Sequence, residues 1–300
     1  MNRDFCGKLG LGTVQFGLDY GISNANGQTS LTDVKEIINL AINHNVTMID
    51  TAHLYGNSEE VLGQAMPENS NLDIVTKTIP IRKESLSPDD IDMVEDGFNL
   101  SIDRLRTGSV YGLLLHHADD LKSHQGDLLY KLLMKLREVQ RVKKIGVSIY
   151  DAEQIDFVLD HFPIDLVQIP MNIFDQRLLD SGHIQKLKSH GVEIHVRSAF
   201  LQGLVFMDMK DLPNTLQGFA PFLDRFHGYV RDMKTTAAAA ALSFLMRQSA
   251  IDKVICGVNS PKQFKMLIQD VSALPEIDNE LFSSLAVNDP VLVNPAHWET

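Results

Sequence analysis

The 300-residue chain is 44% hydrophobic and 22% charged, with 19 glycines and 11 prolines, a globular composition that sets aside disorder, collagen-like repeats and disulfide scaffolds. Lysine and arginine number 27 against 39 acids, and the net charge of −12 opposes nucleic acid and anionic membrane over most of the surface. The two cysteines, Cys6 and Cys256, form no spaced framework, the first residues lack an apolar signal core, and no run approaches the roughly 18 apolar residues of a membrane span, so a reducing, cytoplasmic setting is expected.

Short β-rich runs alternate with longer helical stripes. Residues 9–14 (LGLGTV) open the series as a strand. A helix follows from Leu31, where Val34, Ile37, Ile38, Ala41 and Ile42 recur at the spacing of one helical face. Strands at 46–51 and 72–77 precede a helix carrying Ile91, Val94, Phe98, Ile102 and Leu105. The run 110–116 is the fourth strand, and Leu128, Leu129, Leu132, Leu133 and Leu136 mark the next helix. Further strands are expected at 143–148, 165–169, 192–197 and 253–256. Several of these runs are apolar throughout, as parallel strands covered on both faces are.

Eight strands alternating with about eight helices is the count of an α/β protein of the closed (β/α)8 TIM-barrel type, read here as a single domain over 1–300. A doubly wound dinucleotide sheet would show G-x-G-x-x-G after its first strand. Here Gly10 and Gly12 are followed by TVQF before Gly17, so the third glycine is misplaced. A minimal barrel takes about 250 residues. The surplus falls in a long loop after strand seven, 199–234, where Phe222, Phe226 and Tyr229 suggest a helix, and in the tail 286–300. Loops that long are usually functional, so both segments are expected to set specificity. The tail's Trp298 either closes over the pocket or packs under the barrel.

Barrel chemistry sits at the C-terminal ends of the strands. Strand two ends at Asp50 and runs on to His53 and Tyr55, strand three ends at Lys77, and strand four ends at His116. These groups suit protonation of a carbonyl oxygen. A tyrosine with a pKa near 10 is a poor acid at neutral pH, and a neighbouring ammonium such as Lys77 is expected to lower that value. Asp50 would hold the lysine charged, and His116 would position the carbonyl, leaving Tyr55 as the general acid. His53 either lines the pocket or sits at its rim. The adjacent His116 and His117 invite a metal reading, but neighbours on a strand point to opposite faces and no further ligand spacing accompanies them, so no metal is expected.

The segments LGLGTVQFG, MIDTAHLYGNSEEVLG, VTKT, LLLHHAD, KIGVS, LVQIPMN, VRSAFLQGL and VICGVNSPKQ, spread over nearly the whole chain, resemble the aldo-keto reductase superfamily in its own order. The resemblance implies that Asp50, Tyr55, Lys77 and His116 are its catalytic tetrad, and that the reaction is reversible NAD(P)H-dependent reduction of an aldehyde or ketone to an alcohol. The stretch LGTVQFGLDYGISN further resembles a branch associated with bacterial surface-polysaccharide gene sets, which admits a sugar as well as a small metabolite as substrate.

The same resemblance places the cofactor. Ser148 and Gln168 match positions that hold the nicotinamide carboxamide, while Ile149 stands where an asparagine is common. Arg197 stands where an aromatic stacks on nicotinamide in many members, and a planar guanidinium can also lie over a ring. Ser198, Phe200, Gln202 and Gly203 match the segment along the pyrophosphate, and Gly12 and Thr13 the first-strand contact. Gly257 and Asn259 lead into Ser260-Pro261, the start of a helix whose free N–H groups suit a phosphate. Gln263 replaces a basic residue of many NADP-preferring members, and Met266 and Leu267 replace an acid–amide pair; Lys262 and Lys265 lie near enough to supply charge. NADPH is expected ahead of NADH because most of the superfamily uses it.

Two other readings stay open. Potassium-channel β subunits resemble reductases yet act mainly through a partner, so a cofactor-binding regulatory or accessory protein is the alternative. A barrel isomerase or aldolase would need Lys77 neutral as a Schiff-base nucleophile, against the pull of Asp50.

Overall fold

The computed structural model describes residues 5–298 other than 23, 25, 26, 69 and 277. Eight parallel strands close into a barrel in sequence order: β1 (Leu9–Gly12), β2 (Met48–Asp50), β3 (Asp73–Lys77), β4 (Val110–Leu115), β5 (Val142–Ser148), β6 (Leu166–Pro170), β7 (Glu193–Arg197) and β8 (Lys253–Gly257). Closure is made by β8 pairing with β1, Gly12 lying opposite Gly257. Helices follow the strands in the expected alternation: α1 (Leu31–Asn43), α2 (Ser58–Ala65), α3 (Pro88–Leu105), α4 (Asp127–Glu138), α5 (Ala152–His161), α6 (His183–Ser189), α7 (Ala220–Asp232), α8 (Ala237–Met246) and α9 (Pro261–Ser272). The molecule is a (β/α)8 TIM barrel.

Alternation along each strand divides the core in two. Outward residues such as Leu11, Ile49, Leu113, Val147, Val167 and Val196 join the helix faces in one large apolar shell. Inward residues Met48, Val75, Leu114, Leu166 and Ile255 form a separate plug inside the barrel. Gly112 makes room for that plug, because a Cβ there would lie 2.9 Å from Leu166 and 3.0 Å from Val75. Two residues further along each strand the same inward face turns polar: Met48 is succeeded by Asp50, Val75 by Lys77, Leu114 by His116 and Leu166 by Gln168. The apolar plug thus forms the dry floor of a polar layer at the strand C-termini.

The strand ends differ from expectation in small ways. β1 stops at Gly12, not at residue 14, because Thr13 turns back: its N–H and its hydroxyl both donate to the Asp50 carbonyl, at 3.0 and 2.9 Å. Val14–Gly17 is instead a single helical turn that buries Phe16. β2 is shorter than the run 46–51, and β4 ends at Leu115, leaving His116 just beyond it.

Segment 199–234 holds short 3-10 turns at Leu201–Phe206, Met209–Asp211 and Asn214–Phe219, then α7, whose buried Leu223, Phe226 and Tyr229 continue the core. The tail folds back on this segment. Trp298 donates its Nε1–H to the Leu292 carbonyl at 2.8 Å and meets the Phe219 ring edge-on at 6.5 Å.

Candidate active site

Asp50 and Lys77, the last residues of β2 and β3, are 4% and 1% exposed. The Lys77 ammonium donates to both Asp50 oxygens, at 2.8 and 2.9 Å, and to the Thr51 carbonyl at 2.9 Å. Its remaining neighbour is the Tyr55 hydroxyl at 3.4 Å. Burial alone would lower the Lys77 pKa, but the Asp50 carboxylate and then Tyr55 outweigh it, and the net shift is upward. Lys77 is therefore an ammonium.

Tyr55 is carried on the loop after β2, where Gly56 adopts φ +56° and the Tyr55 carbonyl accepts from the Ser58 N–H at 2.9 Å. Gly17 packs against this turn, and a Cβ there would overlap the Tyr55 carbonyl and the Ser58 amide. The turn after β1 thus holds the Tyr55 loop in place. Lys77 pulls the Tyr55 pKa down as expected, and Arg197 adds to that pull, but desolvation is the largest influence and Asp50 reinforces it, so the net pKa is raised above 10. Asp50 lies against the ammonium and cancels much of its field. Tyr55 keeps its proton at neutral pH.

His116 meets the Tyr55 ring edge-on, with centroids 6.1 Å apart. Burial, then the charges of Lys77, Arg197 and Arg82, press its pKa down to about 3. The imidazole is neutral, and its buried Nδ1 has no hydrogen-bond partner among the described residues. A neutral imidazole can orient a carbonyl but is not the acid.

These four residues open on a cavity of about 600 Å³, within the range of small-molecule sites. The residues matched to cofactor contacts around β1 and from β5 to β8 line the same cavity, whereas Ile149, Lys262 and Lys265 do not. Gly12 and Thr13 form its edge at β1, and Ser148 and Gln168 its wall at β5 and β6. Arg197, Ser198, Phe200, Gln202 and Gly203 follow β7, and Gly257, Asn259 and Gln263 follow β8. Gln168 donates from Nε2 to Asp50 at 2.7 Å, and its buried Oε1 has no partner among the described residues. An orphaned acceptor of this kind fits a carboxamide N–H. Ser260 caps α9 with Pro261 in the first turn, as expected. The residues present therefore fit a nicotinamide dinucleotide.

Segment 198–203 is held in unusual backbone geometry, with Ser198, Leu201 and Gln202 all at positive φ. Three such residues beside a cavity mark a segment over-determined by its surroundings. Gln202 donates to the Tyr20 hydroxyl at 3.1 Å, linking this segment to the loop after β1. The Arg197 guanidinium lies 4.4 Å from the Tyr150 ring centroid and donates to the Ile149 carbonyl at 3.1 Å.

Tyr20, Gln15, Tyr150, Phe206 and Asp270 also line the cavity and were not foreseen. Tyr150 lies two residues past the end of β5, close enough to a strand terminus to carry its own signal. Asp270 lies one helical repeat beyond Gln263, so the face 263, 266, 267, 270 was readable once α9 was placed. Two positions that the sequence leaves open are decided by the fold. His53 turns away from the cavity, its Nδ1 lying 3.2 Å from Ser101 Oγ on α3. Trp298 and His297 are not among the cavity residues, because the tail packs on segment 199–234.

The fold and this arrangement define a class: a (β/α)8 enzyme with its polar machinery at the strand C-termini. The sequence pattern of the aldo/keto reductase family matches residues 8–286. The chain belongs to that family, one of oxidoreductases that use nicotinamide cofactors. It is similar to aldo-keto reductase YhdN of Bacillus subtilis (strain 168), 29% identical over 58% of this chain, and spans about half (53%) of that protein. It is also similar to the NADH-specific methylglyoxal reductase of Escherichia coli (strain K12), 23% identical over 89% of each chain. Among solved structures, the holo form of an aldo-keto reductase from Bacillus halodurans shares the fold at a TM-score of 0.76 and 20% identity, covering 97% of this chain and 95% of that one. A glycerol dehydrogenase from Gluconobacter oxydans does so at 0.71 and 20%, covering 96% and 93%.

Proposed function

We propose that this protein reduces the carbonyl of a small metabolite or sugar to an alcohol, with Tyr55 as proton donor, Lys77 and Asp50 as its charge partners and His116 as the group that orients the carbonyl. The observation that carries this reading is the 3.4 Å approach of the Tyr55 hydroxyl to an ammonium already held by a buried carboxylate, at the wall of a cavity. The nicotinamide dinucleotide supplies the hydride when bound. Ser148 and Gln168 would hold its carboxamide, Gly12 and Thr13 would meet it at β1, and Arg197, Ser198, Phe200, Gln202 and Gly203 would lie along it towards Gly257, Asn259, Gln263 and the start of α9.

Within this set each residue has a separable task. Tyr55 holds its proton at Oη until negative charge develops on the substrate oxygen, and the Lys77 ammonium then stabilises the phenolate left behind. Neutral His116 donates to the same oxygen without competing for the proton. The apolar plug beneath keeps water from entering through the barrel. The expectation of NADPH rests on the superfamily's majority; the Escherichia coli relative is by name NADH-specific.

Purified protein assayed against aldehydes, ketones and sugars, methylglyoxal included, tests the reading. Consumption of reduced nicotinamide that depends on the carbonyl is expected with at least one of NADH and NADPH. No turnover with any member, in protein that binds the dinucleotide, would favour the accessory role instead.

A further inference from the structure

The cavity has two ends of different character. Among the described residues, Lys77 and Arg197 are the lysine and arginine that line it, and both stand at strand ends, on β3 and β7. The wall formed by α9 is built from Gln263, Met266, Leu267 and Asp270, at the i, i+3, i+4, i+7 spacing of one helical face. None of these is basic. Lys262 is exposed and does not line the cavity, and Lys265 is turned to α1, where it pairs with Glu36 at 2.9 Å.

The exit of β8 is also lined by neutral groups. A Cβ at Gly257 would lie 2.5 and 2.7 Å from the two polar atoms of the Gln15 amide, so the neutral Gln15 fills the place a longer side chain would need. Gln263 is engaged as well, its Oε1 accepting from the Asn259 N–H at 2.7 Å. Asp270 accepts from the Thr236 hydroxyl at 2.7 Å through Oδ1, while Oδ2 has no described hydrogen bond.

We propose that this wall selects the dinucleotide that lacks a 2′-phosphate, NADH over NADPH, with Asp270 as the discriminating residue. The inference rests on reading the cavity as a nicotinamide dinucleotide site. The reacting end must lie at Tyr55 and Lys77, which leaves the adenosine to the α9 end, where Met266, Leu267 and Ala238 offer an apolar wall to a purine. A ribose 2′-hydroxyl can donate to a carboxylate. A 2′-phosphate carries about −1.5 to −2 charges at neutral pH and would meet a carboxylate with no cation on that wall to offset it. The start of α9 favours both cofactors equally through their shared pyrophosphate, so it does not discriminate. This selection departs from the NADPH expected from the superfamily's habit, because it rests on this chain's own side chains.

Calorimetric titration of the purified protein with NAD+, NADP+, 5′-AMP and adenosine 2′,5′-bisphosphate tests this without any turnover. NAD+ is expected to bind at least about tenfold more tightly than NADP+, a difference of about 1.4 kcal/mol, and 5′-AMP more tightly than the bisphosphate. Asp270→Asn is expected to narrow the gap by strengthening NADP+, whereas Asp270→Glu keeps it. Equal or tighter binding of NADP+ by the unmodified protein overturns the selection while leaving the dinucleotide site intact. If neither dinucleotide binds, the reading of the cavity itself falls, and the selection with it.

Discussion

The Lys77 ammonium is gripped by both oxygens of Asp50, at 2.8 and 2.9 Å, inside a barrel where neither residue is more than 4% exposed. A buried pair of this kind is costly to break, because the remaining charge keeps its desolvation penalty without its partner. Asp50→Asn is expected to lower unfolding stability by about 3–5 kcal/mol. Denaturant unfolding measures it directly, and a loss below about 1 kcal/mol would mean that the pair is hydrated and not the dry contact described.

Tyr55→Phe removes the hydroxyl and leaves the ring in place. Turnover is expected to fall about 10²- to 10⁴-fold, the usual contribution of a positioned acid, with dinucleotide affinity unchanged. Steady-state rates paired with a binding titration separate the two effects. Retention of most of the turnover would move the proton donor elsewhere.

The pH profile follows from two displaced groups. Tyr55 must be protonated to act, and its pKa is raised, so reduction should slow only as the pH climbs above 10. His116 must be neutral, and with a pKa of about 3 it imposes no acid limb near neutrality. The rate of the chemical step is therefore expected to be level from about pH 6 to 9. A single-turnover profile falling through pH 7 to 8 would show that Lys77 dominates Tyr55 after all.

Borohydride reduction in the presence of a carbonyl substrate should leave Lys77 unmodified. Its pKa is raised and its protons are committed to Asp50 and Thr51, so no neutral amine is available to form a Schiff base. Mass spectrometry of the peptide containing Lys77 decides the point.

Trp298→Ala is expected to cost about 1–2 kcal/mol through the lost contacts to Phe219 and Leu292, while substrate KM stays the same. A raised KM at unchanged stability would return the tail to the pocket.

Much of this molecule could be read before folding. Strand ends are visible as breaks in an apolar period, and in a parallel barrel they all face one mouth, so Asp50, Lys77 and His116 could be placed together without coordinates. Tyr55 followed from its distance to the end of β2. His53 could not be resolved the same way, since a loop residue two positions from Tyr55 points wherever its backbone turns, here towards Ser101.

Strand alternation, the four polar groups and the family pattern are thus properties of the chain read in one dimension, because period and order survive without a third. The upward shift of Tyr55, the unclaimed Oε1 of Gln168, the Gln15 amide over Gly257 and the arrival of Asp270 on the cavity wall belong to the folded molecule. Each depends on desolvation or on a side chain brought in from a distant segment, and such neighbours exist only once β8 has closed on β1.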